Sequence, residues 1–315
     1  TVFSSGCAKQ SPEPKLTSVT IAFQQFVGYG PFYLAKDKGF DKEEGIDLVI
    51  IDDQLDSGRR DAFKQGMLDC EAGTIDLLVS KAAQDTPIVA VLKLDQSFGA
   101  DAIVAAGSIK SLKDLVGRTI SLAKDDVGET FILVLFSKIG LSFDGVNVVS
   151  VNPEEIAQAF LNGDSDACVT WEPQVSKALN RVGSHILTSS REYPGIIIDT
   201  LNVRSDLIKD NPVLVKKVIR TWFKGLKFYR EYPLEASEII APYFTITSAQ
   251  YRKQVEGLRW QEYDQKESLS EGGECFNAFK IISEIKLRNG RIFGIPDAVK
   301  FINSSLLEKL YEDSQ

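Results

Sequence analysis

The sequence predicts an α/β protein with mostly parallel sheets, divided between two lobes. Three observations carry this. From residue 16 to about 210, β-branched apolar runs alternate with segments whose apolar residues recur at helical spacing. That rhythm is what parallel sheets with crossover helices require. One strand–helix–strand arrangement occurs twice, in "GIDLVII…GRRDAFKQGMLDCEAGTIDLLVS" and in "GVNVVSVNPEEIAQAFLNGDSDACVTWEP". Parallel strands need such crossovers. No low-complexity linker separates the two copies, so the lobes must be joined by strand-like crossings.

The elements follow in order. "LTSVTIAFQ" (16–24) alternates and reads as a strand. "GPFYLAKDKGF" (30–40) opens on Pro31 and ends at Gly39, the usual punctuation of a helix. "DLVIID" (47–52) is a strand and "RRDAFKQGML" (59–68) a short helix. "IDLLVS" (75–80) and "IVAVLKL" (88–94) are expected as strands, as are "DAIVAA" (101–106) and "DLVGRTISLA" (114–123). A helix over 129–141, a strand over 147–151 and a helix over 153–163 come next. Ala167-Cys168-Val169 is an apolar strand ending in Trp171 and Glu172, and Pro173 opens a helix. From about residue 211 the pattern is mainly helical, with apolar residues three and four apart.

Composition excludes several classes of function. The formal charge of −8 offers no footprint for nucleic acid. No apolar run is long enough to span a bilayer. His185 is the only histidine, which argues against a His-based metal site or a Ser-His-Asp triad. Cys7, Cys70, Cys168 and Cys275 form no CxxC pair, so neither zinc nor a redox motif is indicated, and no cofactor is expected. Cys168 lies in an apolar run and is expected in the core. Cys7 differs in kind. Ser4, Ser5 and Gly6 precede it and a polar, proline-bearing tether follows. This resembles the end of a bacterial lipoprotein signal, although Ser4 stands where that pattern prefers Leu. Residues 1–15 are therefore expected to be a lipoprotein leader and tether, with Cys7 as the lipidated residue.

Five motifs, in order over roughly residues 17–260, carry a family resemblance. They are "VGYGPFYLAKDKGFDKEEGIDLVII", "GADAIVAAGSIKSLKDLVGRTISLA", "VNPEEIAQAFLNGDSDACVTWEPQVSKA", "YPGIIIDTLNVR" and "NPVLVKKVIRTWFKGLKFYREYPLEASEIIA". The chain resembles a substrate-binding protein of the nitrate/sulfonate/taurine class of ABC importers. The resemblance implies a type II periplasmic-binding-protein fold. Residues 16–97 and 202–315 would form the first lobe and 98–201 the second, joined by a two-crossing hinge near 97–101 and 196–202, with the C-terminal helices covering the first lobe. It further implies an extracytoplasmic monomer that closes on a small solute and hands it to a membrane permease.

Ligands of open α/β sheets sit outside the carboxyl ends of strands. Trp171 and Glu172 stand at such an end. Trp171 offers a flat face to apolar, planar or cationic groups, and Glu172 offers a pair of acceptors; their alternative roles are core and helix cap. Gln24, Gln25 and Tyr29 follow the first strand. Asp95, Ser97 and Asp101 bracket Gly99 on the first crossing, where turn chemistry is the alternative. Asp199 is a carboxylate inside the apolar run "GIIIDTL" and must be paired, hydrogen-bonded or close to a polar ligand. "GRR" (58–60) reads as a pair of exposed arginines at a helix start. In "AKDDVGET" (123–130), Asp125, Asp126 and Glu129 would set negative charge where a sulfonate would dock. That sign balance favours a small cation or amine, and a planar guanidinium best suits stacking and carboxylate forks. Aliphatic sulfonates, taurine and nitrate are the alternative ligands. A thiamin-pyrimidine precursor binder or synthase-like enzyme is a minor one, since the Cys cluster and active-site His of such synthases have no counterpart here.

Overall fold

The computed structural model describes residues 15–52, 56–262 and 266–312. Cys7 and the leader lie outside the described residues. Among the described residues, eleven strands form two sheets. In the first, β1 (Thr17–Phe23) lies between β2 (Ile46–Asp52) and β3 (Cys70–Thr74), parallel to both. β4 (Ile88–Ser97), β10 (Ile198–Arg204) and β11 (Leu258–Trp260) complete it in the order β11-β4-β10-β3-β1-β2, with antiparallel pairing. The second sheet contains β5 (Asp101–Ala105), β6 (Thr119–Leu122), β7 (Asn147–Ser150), β8 (Ala167–Trp171) and β9 (His185–Ser189) in the order β7-β6-β8-β5-β9. β6 runs parallel to β7 and β8, whereas β5 runs antiparallel to β8 and β9. Each sheet is thus parallel in its βαβ half and antiparallel where the crossing strands enter. This is the two-lobed α/β architecture of type II periplasmic binding proteins.

The chain leaves the first sheet after Ser97, enters the second at Asp101 and returns before Ile198. β10 lies wholly in the first sheet, so the division expected at 201/202 would cut a continuous strand. A third segment ties the first crossing down. The Gly257 carbonyl accepts from Phe98 N–H at 2.7 Å and Ala100 N–H at 3.1 Å. Gly257 has to be small, because a Cβ there would sit 2.7 Å from the Ala100 nitrogen.

The run 75–80 is a helix, Ile75–Ala82, and not the expected strand. Its buried Ile75, Leu78, Val79 and Ala82 share one helical face. A short apolar run does not distinguish the two periods. The return strand of the first repeat is instead β3, "CEAGT", buried at every position. Glu71 tolerates that interior because Arg59 and Lys81, equally buried, pair with it. Arg59 is therefore not the exposed helix-start arginine expected from "GRR". The helix Pro212–Glu231 lies across the helix Gly30–Asp37. Glu274–Arg288 packs on Ile75–Ala82 of the first lobe and also on Val127–Lys138 of the second. Cys70, Cys168 and Cys275 are buried free thiols.

Candidate functional site

The sheets point the carboxyl ends of several strands into the cleft between the lobes, where a cavity of about 20 Å³ remains. That is room for a group of water-like size. The first lobe contributes Gln24, Phe26, Tyr29 and Thr74, with Ile197 and Asp199 from the return crossing. The second lobe contributes Asp101, Val127 and Trp171.

Register explains how the polar groups meet. On β10, Asp199 stands beside Thr74 of β3 and Asp95 of β4. On β5, Asp101 stands beside Trp171 of β8. Tyr29, set by the short helical turn Val27–Tyr29, donates its hydroxyl to Asp199 Oδ1. The Oδ2 atoms of Asp101 and Asp199 meet no hydrogen-bond donor, although the two residues are only 5% and 1% exposed. Buried acceptors of this kind demand a partner. Burial, followed by the negative charges of Asp199, Asp76 and Asp126, outweighs the Ser97 hydrogen bond and pushes Asp101 up to about 8. Burial also raises Asp199, against the hydrogen bond from Tyr29 and with Asp76 adding to it.

Aromatic rings shape the rest of the wall. Phe26 and Tyr29 meet edge to face, their centroids 5.3 Å apart. Trp171 is 5% exposed, and its indole N–H donates to the Gln25 carbonyl of the opposite lobe at 3.2 Å. That bond is one of several that hold the cleft shut. Gln24 Nε2 donates to Asp126 at 2.9 Å, and Thr130 donates to Asp76 at 3.2 Å. Arg291 forks onto Glu129 at 2.6 and 3.2 Å.

Of the residues expected at the site, Tyr29, Asp101, Trp171 and Asp199 line the cavity. Asp95 lies buried behind them, both its oxygens without a donor. Ser97 sits on the crossing, its hydroxyl 2.7 Å from that of Ser190 and accepting from Asp101 N–H at 3.1 Å. Gln25 belongs to an outer groove and donates to the Tyr243 carbonyl at 2.8 Å. Glu172 does not line the cavity. It accepts from the Ser176 N–H at 3.0 Å and the Ser176 hydroxyl at 2.9 Å, at the start of the helix Gln174–Ala178. This is the helix-capping alternative; the orphan amides of a first turn attract a carboxylate. Glu129 does not crowd an anion site, since Arg291 pairs with it across the lobes, whereas Asp126, bonded to the neutral Gln24 amide, still acts on Asp101. Phe26, Thr74, Val127 and Ile197 were not singled out from sequence. Thr74 had a signal, because it ends β3, but taking 75–80 as the strand hid that end.

The chain matches the family model described as NMT1/THI5-like over residues 27–236. A putative binding protein of Brucella abortus is 23% identical over 152 residues, covering 47% of this chain and 48% of the relative. The match therefore spans about half the length of that curated relative. The putative aliphatic sulfonates-binding protein of Bacillus subtilis is 26% identical over 245 residues, covering 71% of this chain and 69% of the relative. Among solved structures, the periplasmic aliphatic sulphonate binding protein SsuA of Escherichia coli superposes with a TM-score of 0.76 at 17% identity, covering 93% of this chain and 92% of that one. At that identity the likeness is one of fold.

Proposed function

We propose, from the premise that the chain belongs to the NMT1/THI5-like family, that it is a solute-binding protein of the ABC-importer type that closes on a small organic cation. The observation that carries this is the inter-lobe cavity, where Asp101 and Asp199 each hold an oxygen without a donor between the rings of Phe26, Tyr29 and Trp171. A guanidinium or small amine supplies N–H donors to both carboxylates and a cationic face to the rings. Binding favours the closed lobes, and a membrane permease would take the closed form as its partner. The site of action would be extracytoplasmic, with the body tethered through lipidated Cys7. No catalytic step is needed.

The relatives favour a second reading. Bacillus and Escherichia proteins named for aliphatic sulfonates stand among them, and a protonated Asp101 would donate to a sulfonate or nitrate. A thermal-shift and calorimetric screen separates the two, because a ligand that binds only the folded state raises its stability by mass action. Guanidinium and methylamine are expected to stabilise the protein, and taurine, alkanesulfonates and nitrate are not. The reverse pattern would overturn the cation reading in favour of the anion one.

A further inference from the structure

The acid content of the site extends beyond its wall. Asp95 is fully buried and neither of its oxygens meets a donor. It stands directly across the ladder from Asp199, an arrangement in which like charges destabilise a sheet. Asp101 joins them from the second lobe.

The surrounding groups do not neutralise the three. On the same strand as Asp95, Lys93 is paired with Glu274. On the helix Ile75–Ala82, Asp76 adds negative charge and is paired with Lys286. At the start of the helix Val127–Lys138, Asp126 holds Gln24 and Glu129 holds Arg291. Arg59 is paired with Glu71. Tyr29 and Tyr251 are phenols whose ionisation burial opposes. Full ionisation of the closed site without a bound cation would leave three buried carboxylates with no counter-charge of their own, which is costly away from bulk water.

We propose that the protein takes up its cationic solute in exchange for a proton held by the buried cluster of Asp95, Asp101 and Asp199, with Asp95, which the solute does not touch, keeping its own proton throughout. This inference rests on the cation reading of the site. As the cation enters, the O–H bond of a carboxylic acid breaks, its electron pair stays on oxygen and the proton passes to the buffer before the lobes shut. The charge in the cavity is nearly unchanged by the exchange. Burial first, then Asp199 and Asp101, raise Asp95 well above the usual carboxylate range, with Lys93 opposing, and Asp101 and Asp199 move in the same direction. Protons are therefore present to be displaced at neutral pH.

Titration calorimetry of the full chain with dilute guanidinium chloride, in buffers of different ionisation enthalpy, counts the protons. About one is expected to leave per cation near pH 7, and the association constant should rise about tenfold per pH unit towards a plateau. Asp95→Asn, a neutral mimic of the protonated acid, should leave the proton count near pH 7 unchanged, whereas Asp101→Asn should lower it. A lowered count in Asp95→Asn would overturn the assignment of Asp95 as the acid that keeps its proton. If the variant does not fold, the wild-type proton count and pH profile still decide the matter. Guanidinium binding without proton exchange from mildly acidic to mildly alkaline pH overturns the exchange and leaves the cation reading standing. Binding of taurine or methanesulfonate in place of guanidinium overturns the cation reading and the exchange with it.

Discussion

Asp199 accepts from Tyr29 with one oxygen and presents the other to the cavity. Asp199→Asn keeps the shape and removes the charge. A hydrogen bond to a charged group is worth about 1.5–3 kcal/mol, so affinity for a guanidinium-like solute is expected to fall about tenfold or more, read by calorimetry. Glu172→Gln should change that affinity by less than about twofold, because Glu172 caps a helix outside the cavity; a tenfold loss would return it to the site. The same carboxyls tie stability to pH. Asp101 holds its proton up to about 8 in the folded state, whereas an unfolded Asp releases it near about 3.9. Between those values the folded chain binds more protons than the unfolded one, so stability falls as pH rises. The ligand-free protein should melt at a lower temperature in mildly alkaline than in mildly acidic buffer, and Asp101→Asn should shrink the difference. A higher melting temperature at alkaline pH would contradict this. At this scale the sequence marks a carboxylate in an apolar run, as at Asp199, or an aromatic at a strand mouth, as at Trp171. It does not mark Val127 or Ile197, since an apolar cavity wall has the composition of core.

Elements were legible where period and punctuation agreed. Pro31 sits in the first turn of the helix Gly30–Asp37, and Gly163 caps Ile156–Asn162 in the left-handed region at φ 86°. They were illegible where a run was short and apolar throughout, as at Ile75–Ala82. The buried β3 was also hidden, because Glu71 reads as surface until Arg59 and Lys81 fold against it. Packing between helices leaves a fainter trace still. Gly225, inside the helix Pro212–Glu231, lets it cross Gly30–Asp37 so closely that a Cβ would lie 2.2 Å from the Pro31 carbonyl oxygen. Backbone, not a flexible side chain, blocks that space. Gly225→Ala should therefore destabilise the first lobe by about 1–3 kcal/mol, despite the better helix propensity of alanine. Denaturant titration measures it; unchanged or greater stability would show that the helices can separate freely.

The division into two lobes was legible in the βαβ rhythm, whereas closure was not. The bonds that shut the cleft join residues far apart in the chain, such as Gln24 to Asp126, 102 positions away, and no local pattern announces them. Arg291 and Glu129 form the charged member of this set, at the rim and outside the cavity lining. Glu129 is 2% exposed and Arg291 about a third exposed, so separating the lobes returns the carboxylate to water and closing them buries it against its partner. Such a contact biases the open–closed equilibrium and leaves the solute's own contacts untouched. Apparent affinity scales with the fraction of molecules in the binding-competent form. Arg291→Met keeps the length of the side chain and removes its charge, which strands Glu129 in the closed state. The variant should bind the solute up to about tenfold more weakly, chiefly through faster dissociation. At saturation it should scatter with the same radius of gyration as the saturated wild type, and without ligand it should be more extended than the ligand-free wild type. Unchanged dissociation and an unchanged ligand-free radius would remove the Arg291–Glu129 pair from the closure mechanism. Weaker binding with a more extended saturated form would instead mean that the pair is needed to complete closure once the solute is in place.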